Sequence, residues 1–359
     1  MRYWFATIML LAAATSAFGQ QEKRMAVVET STCYMRIAPD YESALETQEL
    51  MGTVVEIVGE SGYWREIVSP QPYRAWTTEK TLVEMSAEQI REYEAAPKYM
   101  FTDLYGHMYM EPSEKSQTLC DLVGGDVMRA AMKPTPQKSD RDYESSIGKG
   151  IISESKTNAI SKGKWVQVVL PSGTKGWVLK SAVQPLGERI NIRKGDTSNQ
   201  NVSDEKMEAI IASAEQLLGV PYLWGGMSSK GVDCSGLVRI SAIMNNVLLP
   251  RNASQQIYCG VPIEMNYDSA FEDGNYRIVF MTEFIEEMKG RVKNLKRGDL
   301  VFFGTPATAE KPRRVTHVGI YLGNNRIIHS SHKVRINSLI PGDADYYENA
   351  HRLIAAVRL

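Results

Sequence analysis

The sequence predicts an α+β protein in which two small β-barrels precede a larger C-terminal domain of mixed helix and strand. Three observations carry that expectation. Short Val-, Ile- and Trp-rich runs occur twice in the same order before Leu186, a helical period sets in at Asp204, and a cysteine at a helix start is followed by a hairpin bearing histidines. The 359 residues exceed one ordinary domain of roughly 100 to 200 residues, so two or three compact units are expected. With 43% hydrophobic and 23% charged residues, most of the chain can bury a core, which argues against extensive disorder. A formal charge of -1 and the lack of any long Lys/Arg run leave nothing to attract a phosphate backbone, so nucleic acid is set aside as a partner.

At the N-terminus, Met1-Arg2-Tyr3-Trp4 precede an apolar stretch from Phe5 to Ala14 and the small-residue segment Thr15-Ser16-Ala17-Phe18-Gly19. This predicts a secretory signal peptide over residues 1–19, cleaved near Gly19-Gln20. The apolar run is shorter than the roughly 18 to 20 residues that span a bilayer. The expected product is therefore exported, periplasmic or extracellular, with no stable membrane span after cleavage. No Cys follows the run to take a lipid. In an oxidising compartment Cys33, Cys120, Cys234 and Cys259 are able to form disulfides, but they are too scattered for a framework, and no C-x-x-C pair suggests zinc. A Cys33 to Cys120 bridge and two buried free thiols both stay open. No metal or organic cofactor is expected.

Within residues 20–100, strands are expected at Ala26–Glu29, Gly52–Val58, Tyr63–Val68 and Arg74–Thr77, short and separated by Gly, Ser and Pro as in a small barrel. Ser86 then reads as the N-cap of a connecting helix to about Ala96. Residues 101–187 repeat the design with Phe101–Tyr109, Gly124–Ala131, Lys164–Leu170 and Thr174–Leu179. The closing W-V-Q-V-V-L and G-W-V mirror Y-W-R-E-I-V and A-W-T in the first unit. Each unit resembles the bacterial SH3-like domain, in which a final G-W-V strand is common. Lys138 to Lys162 reads as a surface loop, 188–202 as a linker, and Asp204 to Leu218 as the helix that opens the C-terminal domain, 203–359.

The most informative run is Pro221-Tyr222-Leu223-Trp224-Gly225-Gly226 followed by Gly231-Val232-Asp233-Cys234-Ser235-Gly236-Leu237-Val238-Arg239. Asp233 can cap a helix that begins at Cys234, where the positive end of the dipole favours thiolate. Further on, Val315 to Leu322 and Arg326 to Ser330 read as a hairpin across Gly323-Asn324-Asn325. A three-residue loop pairs Leu322 with Arg326, sets His317 opposite Ser331, and makes His329 its same-face diagonal neighbour. His332 then falls on the other face, and a one-residue slip would exchange the two. His107 and His351 read as ordinary histidines. This is a nucleophile, base and orienter: Cys234 attacks an acyl carbon, His317 carries the proton, and His329 fixes the His317 ring.

At these residues the chain resembles the NlpC/P60 family, through D-C-S-G-L-V-R, Y-L-W-G-G, R-G-D-L-V-F-F at Arg297 to Phe303, T-H-V-G-I-Y-L-G and I-I-H-S. The resemblance implies a papain-like fold, hydrolysis of peptidoglycan peptides, and Cys234, His317 and His329 as the catalytic set. The stretch from Asp268 to Asn294 is longer than expected of the minimal family. Two SH3-like domains before the peptidase are similar to a narrower branch, the γ-D-glutamyl-L-diamino acid endopeptidases, whose first barrel selects peptides with a free N-terminal L-alanine. Carried over, Glu46 in Leu45-Glu46-Thr47-Gln48 and Tyr73 before Arg74-Ala75-Trp76 recognise the substrate amine. Asp233 adds a second negative charge, and Tyr222 and Ser235 line the pocket. The implied partner is a peptidoglycan-derived peptide of the form L-Ala-D-Glu-diamino acid. Three other readings stand beside this one: an endopeptidase on intact wall with the barrels as anchors, a non-catalytic wall-binding protein, and an acyltransferase on the same fold.

Overall fold

A computed structural model describes residues 23–70, 73–133, 158–195, 202–265 and 281–359. The expected signal peptide, residues 138–157 of the expected loop, 196–201 of the linker and 268–280 of the insertion lie outside the described residues.

The first β-rich unit is a seven-stranded antiparallel sheet. Its spatial order is Leu45–Leu50, Thr32–Arg36, Arg74–Thr78, Trp64–Val68, Val54–Ser61, Arg24–Val28, Leu82–Met85. The three strands that sequence reading omits are Thr32–Arg36, Leu45–Leu50 and Leu82–Met85. Leu45–Leu50 escapes because Glu46-Thr47-Gln48-Glu49 lacks apolar alternation, yet Thr47, Gln48 and Glu49 are buried. Their burial is against another part of the chain, which no local pattern reveals. The first helix, α1, spans Ala87–Ala95. Ser86 caps it by accepting from Gln89 N at 3.2 Å while Gln89 Oε1 accepts from Ser86 N at 2.9 Å, a reciprocal pair that satisfies two otherwise orphaned donors.

The second sheet runs Thr118–Val123, Tyr105–Tyr109, Lys175–Leu179, Trp165–Val169, Val127–Ala130, Lys98–Phe101, Val183–Pro185, with Ser161–Lys162 paired beside Trp165–Val169. The internal repeat extends to register. Trp64, Arg65 and Glu66 pair with Thr78, Thr77 and Trp76, and Trp165, Val166 and Gln167 pair with Leu179, Val178 and Trp177. In both units the leading Trp is buried.

The C-terminal domain has a six-stranded antiparallel sheet in the order Val261–Pro262, Leu353–Arg358, Leu300–Thr305, Arg314–Gly323, Arg326–Ser331, Lys333–Ser338. Helices α2 (Asp204–Gln216) and α3 (Cys234–Ile243) share a core with Leu300, Phe302, Ile320 and Ile328. A second cluster joins Met288 and Val292 of α5 (Met281–Val292) to Val301, Phe303 and Leu353, so alternate residues of the central strand serve opposite faces. A short α4 (Ala253–Gln256) lies between α3 and α5 in sequence. The architecture is α+β, a β-rich N-terminal region before a mixed α/β domain. Among the described residues no helix is long and apolar enough to cross a membrane, and Cys33 in the first sheet and Cys120 in the second are free thiols, not bridged to each other.

Candidate active site

Cys234 is the first residue of α3. Asp233, the N-cap, accepts from Gly236 N at 2.7 Å. The Asp233 carboxylate also accepts from Gly225 N at 3.0 Å, Ser235 Oγ at 3.1 Å and both terminal nitrogens of Arg251 at 3.0 and 2.5 Å. Its charge is thus neutralised by Arg251, itself buried. Sequence reasoning did not single out Arg251, because its role depends on a loop that returns to the helix start.

Burial pushes the Cys234 thiol up to about 11, and Asp233 adds to the rise; the N–H groups of Val318 and Ser235 and the Arg251 charge pull the other way. This corrects the expectation of a lowered thiol. A helix terminus favours thiolate only where desolvation does not outweigh it. The N–H of Val318 on the sulfur also places Cys234 beside the residue that follows His317.

The hairpin differs from the expected three-residue loop. Asn324 and Asn325, with φ of 50° and 59°, form a two-residue turn, and Gly323 rather than Leu322 pairs with Arg326. A register shift between Tyr321 and Gly323 then absorbs Leu322, so Tyr321 pairs with Ile327 and Ile320 with Ile328. That is the register a three-residue loop would have set, and it brings His317 Nε2 to 2.7 Å from His329 Nδ1. His332 is the one residue between the last two strands. It is exposed with φ of 62°, and its carbonyl accepts from Tyr222 N at 2.8 Å. Among the rest, His351 Nδ1 lies 2.9 Å from Glu348 O and His107 Nε2 lies 3.2 Å from Tyr105 Oη, in the second sheet.

Two further residues complete the cluster. His329 Nε2 lies 2.9 Å from Asn337 Oδ1, and Asn337 Nδ2 donates to Asp345 O at 2.6 Å. The donation orients the amide, so its oxygen faces His329, which must carry its proton on Nε2 and accept at Nδ1. His317 therefore donates from Nε2, and its Nδ1 holds the free lone pair. Tyr347 packs its ring against both imidazoles, with centroids 5.6 and 4.5 Å away. Burial, helped by neighbouring positive charge, lowers His317 to about 3, and burial lowers His329 to about 4, so the resting cluster is thiol and neutral imidazoles. Asn337 had a weak signal in sequence: it sits two residues beyond Arg335, the strand partner of His329, and so shares its face.

The first sheet reaches this site through its edge strand. Tyr73 Oη donates to Glu46 Oε1 at 2.7 Å, and both residues are half-buried. The next three side chains dock the strand. Arg251 Nε donates to Thr47 Oγ1 at 2.8 Å, Met227 N donates to Gln48 Oε1 at 2.7 Å, and Glu49 lies 3.5 Å from buried Arg239. A Cβ on Gly225 would come within 3.1 Å of the Glu46 carbonyl, so the two backbones are in contact. Arg251 also donates to Ser235 Oγ at 2.9 Å. Tyr222 lies near enough that the charges of Cys234 and Asp233 reinforce burial in pushing its hydroxyl up to about 12. Tyr222, Asp233 and Ser235 thus lie at one helix start, and the strand that carries Glu46 meets that domain through Gly225 and Arg251. Among the described residues no group of His, Cys, Asp or Glu is arranged to hold a metal.

Residues 219–351 match the NlpC/P60 family. The chain is 24% identical over 328 residues to a gamma-D-glutamyl-L-lysine dipeptidyl-peptidase of Bacillus cereus, covering 86% of this chain and 75% of that protein. A protein of the same name from Bacillus subtilis is 30% identical over 144 residues, 40% of this chain and 38% of that protein. A solved structure of an NlpC/P60 family protein from Bacillus cereus superposes with a TM-score of 0.62 at 20% identity, covering 93% of this chain and 99% of that one, a likeness of fold.

Proposed function

With an NlpC/P60 domain at its C-terminus as the premise, we propose that the chain is an exported cysteine peptidase. It hydrolyses the γ-D-glutamyl-L-diamino acid bond of peptidoglycan peptides that carry a free N-terminal L-alanine. The observation that carries this reading is the Glu46–Tyr73 pair, held against the helix start of Cys234 by the strand Leu45–Leu50. A carboxylate backed by a phenol suits an ammonium. Among the described residues Glu46 has no cationic partner, whereas Asp233 has Arg251. The strand that carries Glu46 docks on the nucleophile's domain, so a substrate amine bound there sets which carbonyl Cys234 meets.

In the reaction, Cys234 Sγ passes its proton to His317 Nδ1 as it bonds to the γ-carbonyl carbon of D-glutamate. The C–N bond then breaks, and the proton returns from His317 to the leaving amine of the diamino acid. Water repeats the sequence on the thioester: it gives a proton to His317 as it bonds to the acyl carbon, the C–S bond breaks, and His317 returns the proton to the sulfur, which leaves L-Ala-D-Glu free and the thiol restored. His329, fixed by Asn337, accepts from His317 Nε2 and becomes the nearest group to stabilise the transient imidazolium. The names of the two curated relatives, both dipeptidyl-peptidases, support the substrate class.

Purified protein incubated with L-Ala-γ-D-Glu-L-Lys and with its N-acetylated twin tests the reading. The free peptide should be cut and the acetylated one left largely intact. Equal cleavage would replace it with an endopeptidase on intact wall, since stems attached to glycan offer no free amine.

A further inference from the structure

Arg335 stands beside the two histidines without a use in the chemistry just described. Its Cα pairs with that of His329 across the last two strands, so the two side chains share a face, as does Asn337 two residues on. The strand Lys333–Ser338 is the edge of the sheet, and it joins the cleft through Pro221, which bridges to Lys333, and Tyr222, whose N–H donates to His332 O.

The guanidinium there is poorly matched. Of its five N–H donors, one on Nη2 reaches Ser331 Oγ at 3.4 Å, and Nε is buried with no hydrogen-bond partner among the described residues. Glu348 is 3.9 Å away with a side chain 62% exposed, a pair of the loose surface kind that contributes little. A buried donor without a partner is destabilising. A positive charge here also opposes the imidazolium that catalysis must form, since it disfavours the protonated form of both His317 and His329. Arg352, which donates to Thr316 Oγ1 at 3.5 Å, adds a second cation near His317. A carboxylate bound at the terminal nitrogens would give the guanidinium an anionic partner and cancel the opposing charge at once.

Resting on the proposed peptidase reading, we propose that Arg335 is a specificity-determining residue whose guanidinium binds a carboxylate of the peptide substrate beside the His317–His329 pair. Three carboxylates of such a peptide have this chemistry: the α-carboxylate of D-glutamate, the C-terminal carboxylate of the diamino acid, and the distal carboxylate of a meso-diaminopimelate. A substrate lacking the bound one binds less well and also leaves the histidines facing an uncompensated cation, so KM rises and kcat falls together.

The test compares L-Ala-γ-D-Glu-L-Lys with three relatives: the D-isoglutamine peptide, the C-terminal amide, and the peptide with meso-diaminopimelate for lysine. Each is measured with the unaltered protein and with Arg335→Gln. Binding of the same peptides to Cys234→Ala and to Cys234→Ala/Arg335→Gln gives a readout that needs no turnover. One arm should change kcat/KM and Kd in the unaltered protein by about 10- to 100-fold, the range for a hydrogen bond to a charged group. Arg335→Gln should bring that arm to within about 2-fold of the reference peptide while leaving the other two ratios as they were. Arg335→Lys, which keeps the charge but not the fork, should fall between. The proposal is overturned if all three ratios survive Arg335→Gln unchanged, or if none of the peptides differs from the reference. Failure to hydrolyse the reference peptide, with carboxylate-dependent binding intact, would instead remove the peptidase reading and leave the carboxylate site standing.

Discussion

Burial sets the resting protonation of Cys234 and His317, and the Asn337 amide sets which nitrogen of each imidazole is free. With one partly enclosed thiol doing the attack, Cys234→Ala should abolish hydrolysis of L-Ala-γ-D-Glu-L-Lys. It should shift the midpoint of thermal unfolding by no more than a few degrees, because it removes one small group at a helix start. In the proposed mechanism His317 acts as a base only while unprotonated, and its pKa lies below the ordinary histidine value of 6.5. Activity is therefore present above that lowered pKa and lost as pH falls through it. The acid limb of kcat/KM is expected well below pH 6.5, and a limb at or above 6.5 would contradict the buried neutral base. Asn337→Asp places a carboxylate against His329 Nε2 and favours the imidazolium, so the same limb should move to higher pH. His329→Ala should lower kcat strongly. His332→Ala, outside the strands and exposed, should leave it nearly unchanged.

At the scale of elements, the hairpin shows how a wrong local detail can leave a correct register. Gly323-Asn324-Asn325 signals a turn, but whether two or three residues form it depends on the twist that the neighbouring strands impose. Here a two-residue turn and a bulge at Leu322 together give the pairing that one longer loop would have given. Period-2 and helical patterns were enough to place α1, α2, α3 and the strands around Trp64 and Trp165, because those segments bury apolar side chains on one face. The strand Leu45–Leu50 was invisible to that logic, since its buried face is polar and is matched by Arg251, Met227 N and Arg239. Gly225 is the contact point of that strand with the nucleophile's domain, at φ of 74°. Gly225→Ala introduces both left-handed strain and a tight approach, 3.1 Å, to the Glu46 carbonyl. The expected result is a lower ratio of activity on free over N-acetylated peptide, measured alongside an unfolding midpoint that shows the fold persists.

For the whole molecule, the proposed function depends on two parts of the chain meeting: Glu46 and Tyr73 from the first sheet, Cys234 and the histidines from the last domain. Losses at a desolvated charge pair are worth about 2 to 5 kcal/mol, or roughly 30-fold to several thousand-fold in kcat/KM. Glu46→Gln should reduce cleavage of free L-Ala-γ-D-Glu-L-Lys within that range and narrow its advantage over the acetylated peptide. An undiminished advantage would mean that the amine is recognised elsewhere. The sequence by itself determined the α+β class, the doubled β-rich unit, the cap and helix at Asp233-Cys234, and the hairpin that carries His317 and His329. All of these follow from short-range signals: side-chain period, capping chemistry and turn residues. Only the tertiary structure decided that Asp233 is neutralised by Arg251, that Asn337 sets the imidazole tautomers, that the thiol is raised rather than lowered, and that Arg335 pairs across the sheet with His329. Each of these depends on desolvation or on partners brought close from distant parts of the chain, and neither leaves a mark in the order of neighbouring residues.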